Sequence, residues 1–234
     1  MASIFPGVAV SATCIILDCD GVLVDSELIS ARIAAACFAG AGAAISMEEI
    51  LARFTGMKAT DVSATVFAER GLAVPERVTE QRLEATMAAF EQELRPMPGV
   101  DEALAAIHAL KCVASSSHHD RIALALRVTG LARHFGNAVF SATMVERGKP
   151  APDLFLHAAK AMGAEPAHCI VVEDSVAGVV AGKAAGMAVI GFTGGSHCGP
   201  DHRHALVTAG ADRVIHHMSE LAQAVLFERS IHRI

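Results

Sequence analysis

The stretch that most constrains this chain runs from Thr13 to Glu27, Thr-Cys-Ile-Ile-Leu-Asp-Cys-Asp-Gly-Val-Leu-Val-Asp-Ser-Glu. An uncharged apolar run stops at Asp18, a second aspartate follows at Asp20, and Gly21 comes next. Such a run, bounded by turn residues, predicts a central strand buried on both faces and parallel to its neighbours. Carboxylates placed where a buried strand leaves its sheet need a cationic partner, because ionised groups withdrawn from water are costly alone. In extended backbone, residues two apart share a side, so Asp18 and Asp20 can converge on one reactive centre while Gly21 lets the chain turn away. Read in isolation, the same residues also describe an ordinary strand end with an Asp-Gly turn.

The remainder of the chain supplies the other parts of an α/β fold. Residues 26–94 read as helical throughout. Ser46 with Glu49 makes a capping box ahead of Ile50 and Leu51. Gly71 closes one helix and Pro75-Glu76 leads into the next, where Leu83, Met87, Phe90 and Leu94 form one apolar stripe. Arg95-Pro96-Met97-Pro98-Gly99 then punctuates the chain. Beyond it, expected helices over 100–110, 119–129, 152–162, 176–185, 202–209 and from Ser219 alternate with expected strands at 112–114, 138–140, 169–172, 188–190 and 213–215. This alternation predicts an α/β fold: a Rossmann-like three-layer core with a parallel sheet, formed by 1–25 and 95–234, and an inserted all-helical cap domain over 26–94. Ligands of such sheets bind beyond the carboxyl ends of the strands.

Composition narrows the function classes. Hydrophobic residues make up 53% of 234, enough for a sizeable core. A net charge of −6, with no cluster of Lys and Arg, argues against nucleic acid or an anionic membrane as the main partner. Trp and Tyr are both absent, which leaves only Phe for any stacking platform. The opening Met-Ala-Ser-Ile-Phe-Pro-Gly lacks the basic head and long apolar stretch of a secretory signal, and no apolar run reaches membrane-spanning length. The 6 cysteines show no Cys-x-x-Cys spacing, and Cys14, Cys19, Cys112 and Cys169 fall in or beside expected strands. The expectation is a reduced, cytoplasmic protein, a monomer or homodimer, rather than a disulfide framework.

Three further clusters carry chemistry. The strand at 112–114 runs into Ser115-Ser116-Ser117, where hydroxyls and free amides before a helix make a phosphate cradle, although the residues alone favour Ser116 as a cap of that helix. Lys149 sits in Gly-Lys-Pro-Ala-Pro-Asp, where two prolines fix the loop behind it, so it can neutralise a phosphate and an aspartate together. The strand at 169–172 ends in Glu173-Asp174-Ser175. Four carboxylates converging would repel, and a hard divalent cation such as Mg²⁺ in an all-oxygen site would resolve this; helix capping is the bland alternative for Glu173 and Asp174.

In chain order, Asp-x-Asp-Gly, Ser, Lys-Pro and Glu-Asp resemble the four signatures of the haloacid dehalogenase (HAD) superfamily, in its β-phosphoglucomutase-like and phosphatase subgroup with a helical cap. The resemblance spans essentially the whole chain. It implies an Mg²⁺-dependent phosphatase that hydrolyses a small phosphorylated metabolite, a sugar phosphate or phosphosugar acid, through an aspartyl-phosphate intermediate. It implies Asp18 as nucleophile and metal ligand, and Asp20 as general acid/base and metal ligand through its main-chain carbonyl. Ser115, with Ser116 beside it, and Lys149 would hold the phosphate, Lys149 also serving catalysis. Asp174 would ligate Mg²⁺, with Glu173 binding it directly or through water.

Within the superfamily, dehalogenases lack an acid at the position of Asp20. The sugar phosphomutase subfamily carries a His a few residues beyond the Asp-Ser pair, and a Lys-Gly and an Arg in the first cap loop. Here those positions read Ser30, Thr55 with Gly56, and Ala59, so phosphatase is the expectation and a β-phosphoglucomutase-like mutase the alternative. Residues 53–58 (Arg-Phe-Thr-Gly-Met-Lys) and 155–163 look similar to the bacterial phosphatase subgroup acting on 6-phosphogluconate. Lys58 is either a substrate contact from the cap loop or a surface lysine, and His118 either lines the entrance or starts a helix in solvent. Residues 196–204, with His197, Cys198, His202 and His204, match no standard zinc spacing and read as a polar loop with a helix start. His216-His217 reads as an exposed turn.

Overall fold

The computed structural model describes residues 13–232; the reading of the first seven residues as lacking a leader falls outside them. Six strands form one sheet in the order β3-β2-β1-β4-β5-β6, every neighbouring pair parallel. They are β1 (Cys14–Leu17), β2 (Leu110–Ser115), β3 (Val139–Ser141), β4 (Cys169–Glu173), β5 (Ala188–Phe192) and β6 (Arg213–Ile215). As the uncharged run predicts, β1 lies at the centre and is buried along its whole length.

The two-residue period of the strands divides the core. Ile15, Leu17, Val113, Ile170, Val172 and Ile190 point to one face. There they meet helices α5 (Val100–Ala106), α6 (His119–Val128) and α10 (Leu221–His232) through Leu104, Ile122 and Leu221. Ile16, Cys112, Val171 and Val189 point to the other face. Their partners are α7 (Asp153–Ala161), α8 (Val176–Ala184) and α9 (His202–Thr208), through Phe155, Val179 and Leu206. Cys14, Cys19, Cys112 and Cys169 are buried free thiols, as expected of small apolar fillers. The helix expected over 100–110 is shorter than its pattern suggests. It ends at Ala106, and Leu110 already belongs to β2, because pairing with β1 begins at Cys14 opposite Leu110. Tertiary pairing overrides local helix preference there.

Between β1 and β2 the chain makes α1 (Glu27–Gly40), α2 (Met47–Phe54), α3 (Ala59–Ala68) and α4 (Val78–Glu93). Ser46 caps α2 by accepting from the Glu49 amide. These helices share a separate apolar cluster around Phe38, Phe54, Val66 and Phe67, with Phe38 and Phe67 edge to face at 5.7 Å. The stripe on α4 is divided: Phe90 and Leu94 join the cluster beneath the sheet. The chain leaves for the helices and returns from them side by side, with Asp25 N donating to Arg95 O and Met97 N to Leu23 O. Among the described residues no helix is long and apolar enough to cross a membrane.

Strand order reverses at β1, so the crevice that binds ligands in such sheets opens at the ends of β1, β2 and β4. Phe38→Ala should lower stability in urea unfolding by about 3–5 kcal/mol, the usual cost of emptying a buried Phe site. A change below about 1 kcal/mol would show that the cluster shared by α1–α4 does not unfold with the rest.

Candidate active site

β1, β2 and β4 end side by side, and Asp18, Asp20, Glu173, Asp174, Ser115 and Lys149 are all buried, with Asp18, Asp20 and Ser115 lining one cavity. Lys149 Nζ donates to Asp18 Oδ1 at 2.8 Å and makes a second, very short bond to Glu173 Oε1. Burial alone would discharge this lysine, but the two carboxylates more than offset that and hold it charged, above its ordinary value. The loop before α7 presents it as the prolines suggest, and Asp153 secures that loop through both oxygens to Arg147.

Asp18, Glu173 and Asp174 offer carboxylate oxygens within 4.8 Å of one another. Glu173 Oε2 accepts from the Ser175 amide and hydroxyl, while Ser175 caps α8 by accepting from the Gly178 amide. A side chain at Gly178 would put its Cβ 1.9 Å from the Glu173 carboxylate, so only glycine fits there. Gly21 has φ +76°, and a Cβ there would lie 1.8 Å from Asp174 Oδ2. Neither carboxylate oxygen of Asp174 has a hydrogen-bond partner among the described residues, though His197 Nε2 lies 3.0 Å from Oδ2. Burial pushes Asp18 well above the ordinary carboxylate range; Lys149 pulls the other way, and Glu173, Asp174 and Asp20 add to the rise. Three packed carboxylates against one ammonium, with Asp174 Oδ1 unpartnered and Oδ2 facing only His197, is an electrostatic environment that a hard cation would relieve, and the carboxylate oxygens are donors that suit Mg²⁺.

The carboxylate of Asp20 lines the same cavity as Asp18 but stands outside that acidic cluster, because it has partners of its own. Oδ1 accepts from Ser26 and from Arg121 Nη2, each at 2.5 Å, and Oδ2 from Ser117 at 2.6 Å. Burial would raise Asp20, but Arg121, Ser117 and Ser26 outweigh it and hold the carboxyl below its ordinary value. Sequence reasoning did not single out Ser26, Ser117 or Arg121. Arg121 lies in the first turn of α6, four residues beyond Ser117, which is the signal that could have marked it. Glu27, half-buried beside Asp20, is pushed up to about 7 by burial and by the charges of Asp20 and Asp174.

The serine cluster is also resolved. Ser115 Oγ accepts from the Ser117 amide and lies 3.4 Å from Asp20 Oδ2. Ser116 does not cap α6: His118 does, accepting from the Asp120 amide, and Ser116 donates instead to Gly56 O of the loop between α2 and α3. That loop rests on the core so closely that a Cβ at Gly56 would meet Ser175 Oγ at 2.2 Å. Lys58 follows it. Its stem covers Gly148 and its Nζ reaches Val145 O at 3.4 Å, so it spans the seam between helices and sheet instead of standing free in solvent. Lys58, Arg82, His118 and Arg121 line a cavity of about 240 Å³ in that seam. His216 and His217 are exposed, as expected.

A family model described as "Hydrolase: haloacid dehalogenase-like hydrolase" matches residues 12–186. The chain belongs to the haloacid dehalogenase-like hydrolases. Among characterised members of this hydrolase family, it is 35% identical to the 6-phosphogluconate phosphatase of Escherichia coli (strain K12), over 80% of this chain and 85% of that one. A HAD-like protein of unknown function from Agrobacterium tumefaciens superposes with a TM-score of 0.78 at 37% identity, covering 92% of this chain and 98% of the other. A HAD family hydrolase from Deinococcus radiodurans, solved with bound phosphate and sodium, gives 0.71 at 33% identity, covering 93% and 96%. The chain is thus a HAD-like hydrolase with phosphatases among its relatives, on the α/β fold its sequence predicts.

Because Arg121 is the charge that holds Asp20 down, Arg121→Met should move the Asp20 carboxyl titration to higher pH, read by carboxyl ¹³C NMR. An unchanged titration would assign the effect to the serines alone.

Proposed function

We propose that the chain is an Mg²⁺-dependent phosphatase acting on a small phosphorylated metabolite through an aspartyl-phosphate on Asp18. The observation that carries this reading is Asp18 held 2.8 Å from the buried Lys149, with the unpartnered Oδ1 of Asp174 alongside. Asp18, Glu173 and Asp174, with the Asp20 main-chain carbonyl, would hold Mg²⁺, which when bound would neutralise phosphoryl charge. Lys149 neutralises the same charge from the protein side, so that an anionic nucleophile can approach an anionic phosphate. Ser115 and the amides after it orient the phosphoryl oxygens.

Asp18 Oδ bonds to phosphorus as the ester P–O bond breaks, and the departing alkoxide takes a proton from Asp20, which must first take that proton from solvent because Arg121 and the serines hold the resting carboxyl ionised. Asp20 then takes a proton from water as that water bonds to phosphorus, the P–O bond to Asp18 breaks, and inorganic phosphate leaves. Asp20 lines the same cavity as Asp18 and stands apart from the acidic cluster, which places its carboxyl beside the reacting phosphoryl group and not on the metal side. Position 30, where mutases carry their His, is a serine bonded by Arg121, which favours hydrolysis over phosphoryl return.

Residues 26–94 act as the cap in this reading, and Lys58 meets substrate at the seam. Two arginines lie there. Arg82, on α4, is brought down to about 10 by burial and by the nearby charge of Arg121. Arg121 Nε is buried without a partner among the described residues. A substrate carboxylate would relieve both, since a guanidinium pairs bidentately with one. A phosphosugar acid therefore suits the site better than a neutral sugar phosphate, in keeping with the 6-phosphogluconate phosphatase likeness. We place the enzyme in the cytoplasm as a monomer or homodimer.

Asp18→Asn should abolish hydrolysis of p-nitrophenyl phosphate with an unchanged circular dichroism spectrum, and chelation of Mg²⁺ should do the same reversibly. Full turnover in either case would refute the covalent mechanism or the metal requirement. Arg82→Met should raise KM for 6-phosphogluconate about tenfold or more while leaving KM for a neutral hexose phosphate within about twofold. Equal rises for both would remove the carboxylate reading.

A further inference from the structure

The loop after β5 carries a second cluster that phosphate hydrolysis does not use. His197, Cys198 and His202 offer ligand atoms that all lie within 4.8 Å of one another, although their spacing matches no standard pattern. Backbone bonds from Cys198 N to Gly195 O and from His202 N to Gly199 O fold the loop tightly enough to bring them together. Ser196 ties the loop to the linker leading to α1, giving its amide and hydroxyl to Asp25 Oδ1.

We propose that His197, Cys198 and His202 form a binding site for a borderline-soft divalent transition metal of the Zn²⁺ class, separate from the carboxylate site. Two imidazoles and a thiolate are zinc-type donors, whereas Mg²⁺ takes oxygen. The orientation of the rings is that of metal ligands. His202 Nε2 sits on the main-chain oxygen of Asp174, and a carbonyl only accepts, so Nε2 carries the proton and Nδ1 keeps its lone pair for a ligand. His197 Nε2 likewise faces an acceptor, Asp174 Oδ2, at 3.0 Å. Histidines that bind metals usually turn their second nitrogen onto a carbonyl or carboxylate in this way.

Distances agree. Cys198 Sγ lies 4.0 Å from His197 Nδ1, the nitrogen turned away from Asp174, against about 3.6 Å between a nitrogen and a sulfur bound to one tetrahedral zinc, so a small turn of either side chain closes the site. The two imidazole rings stand edge to face with centroids 5.4 Å apart, against about 5 Å for rings on one tetrahedral ion. His197 and His202 also line a groove walled by Arg53 and Val176, which gives an ion a way in and leaves room for water as a fourth ligand.

The test loads native protein with Zn²⁺ or Co²⁺ in the presence of excess Mg²⁺, so that occupancy of the carboxylates is not mistaken for occupancy of this site. One zinc per chain should survive dialysis, and the cobalt form should show thiolate-to-metal charge-transfer absorption. Cys198→Ser should abolish that absorption and weaken zinc binding by at least about tenfold to a hundredfold, the loss that outer partners alone can cause. A native cobalt spectrum without the sulfur band overturns the proposal, whatever the variant's folding. So does zinc retained equally by Cys198→Ser.

Discussion

The structure depends on one buried ammonium. Lys149 lies between Asp18 and Glu173, which come from different strands, and its loop comes from a third part of the chain. Removing either carboxylate would leave a charge stranded in a low-dielectric interior, and removing the lysine would leave acids crowded at one sheet end. The apolar strands decide where these groups stand, since β1 and β4 are neighbours in register and end together. Packing on the two faces of the sheet therefore sets the distances on which the chemistry rests.

The two aspartates of the first strand end have different settings. Asp18 is tied to the lysine and to its acidic neighbours, so its charge is governed by cations. Asp20 is tied to two serines and an arginine, so its charge is governed by hydrogen bonds and one guanidinium. Two carboxyls, two residues apart, thereby acquire opposite shifts in proton affinity from different surroundings, Asp18 upward and Asp20 downward.

Much of this was legible in the residues. β1 could be read because it is uncharged and ends in Asp-x-Asp-Gly, and β4 because it repeats the oddity with Glu-Asp. The partners of Asp20 could not: Arg121 is an ordinary helix residue until the helix is docked, and Ser117 is one of three equivalent hydroxyls. The role of Ser116 was misread because helix capping is a local rule, and a carbonyl from the helical insertion outbid it. The cluster at 197–202 was hidden for another reason. Its members meet through a tight loop, and their second nitrogens find acceptors on Asp174, which lies on a different strand end.

The side-by-side exit and return of the chain near Leu23 and Met97 makes the helical segment a cassette plugged into one socket. A replacement segment would need those two adjacent ends and also counterparts of Phe90 and Leu94 beneath the sheet and of the Ser26 hydroxyl on Asp20. Any exchange of the segment must therefore bring these footholds with it, since the strand ends borrow apolar packing and a hydroxyl from the helices they launch.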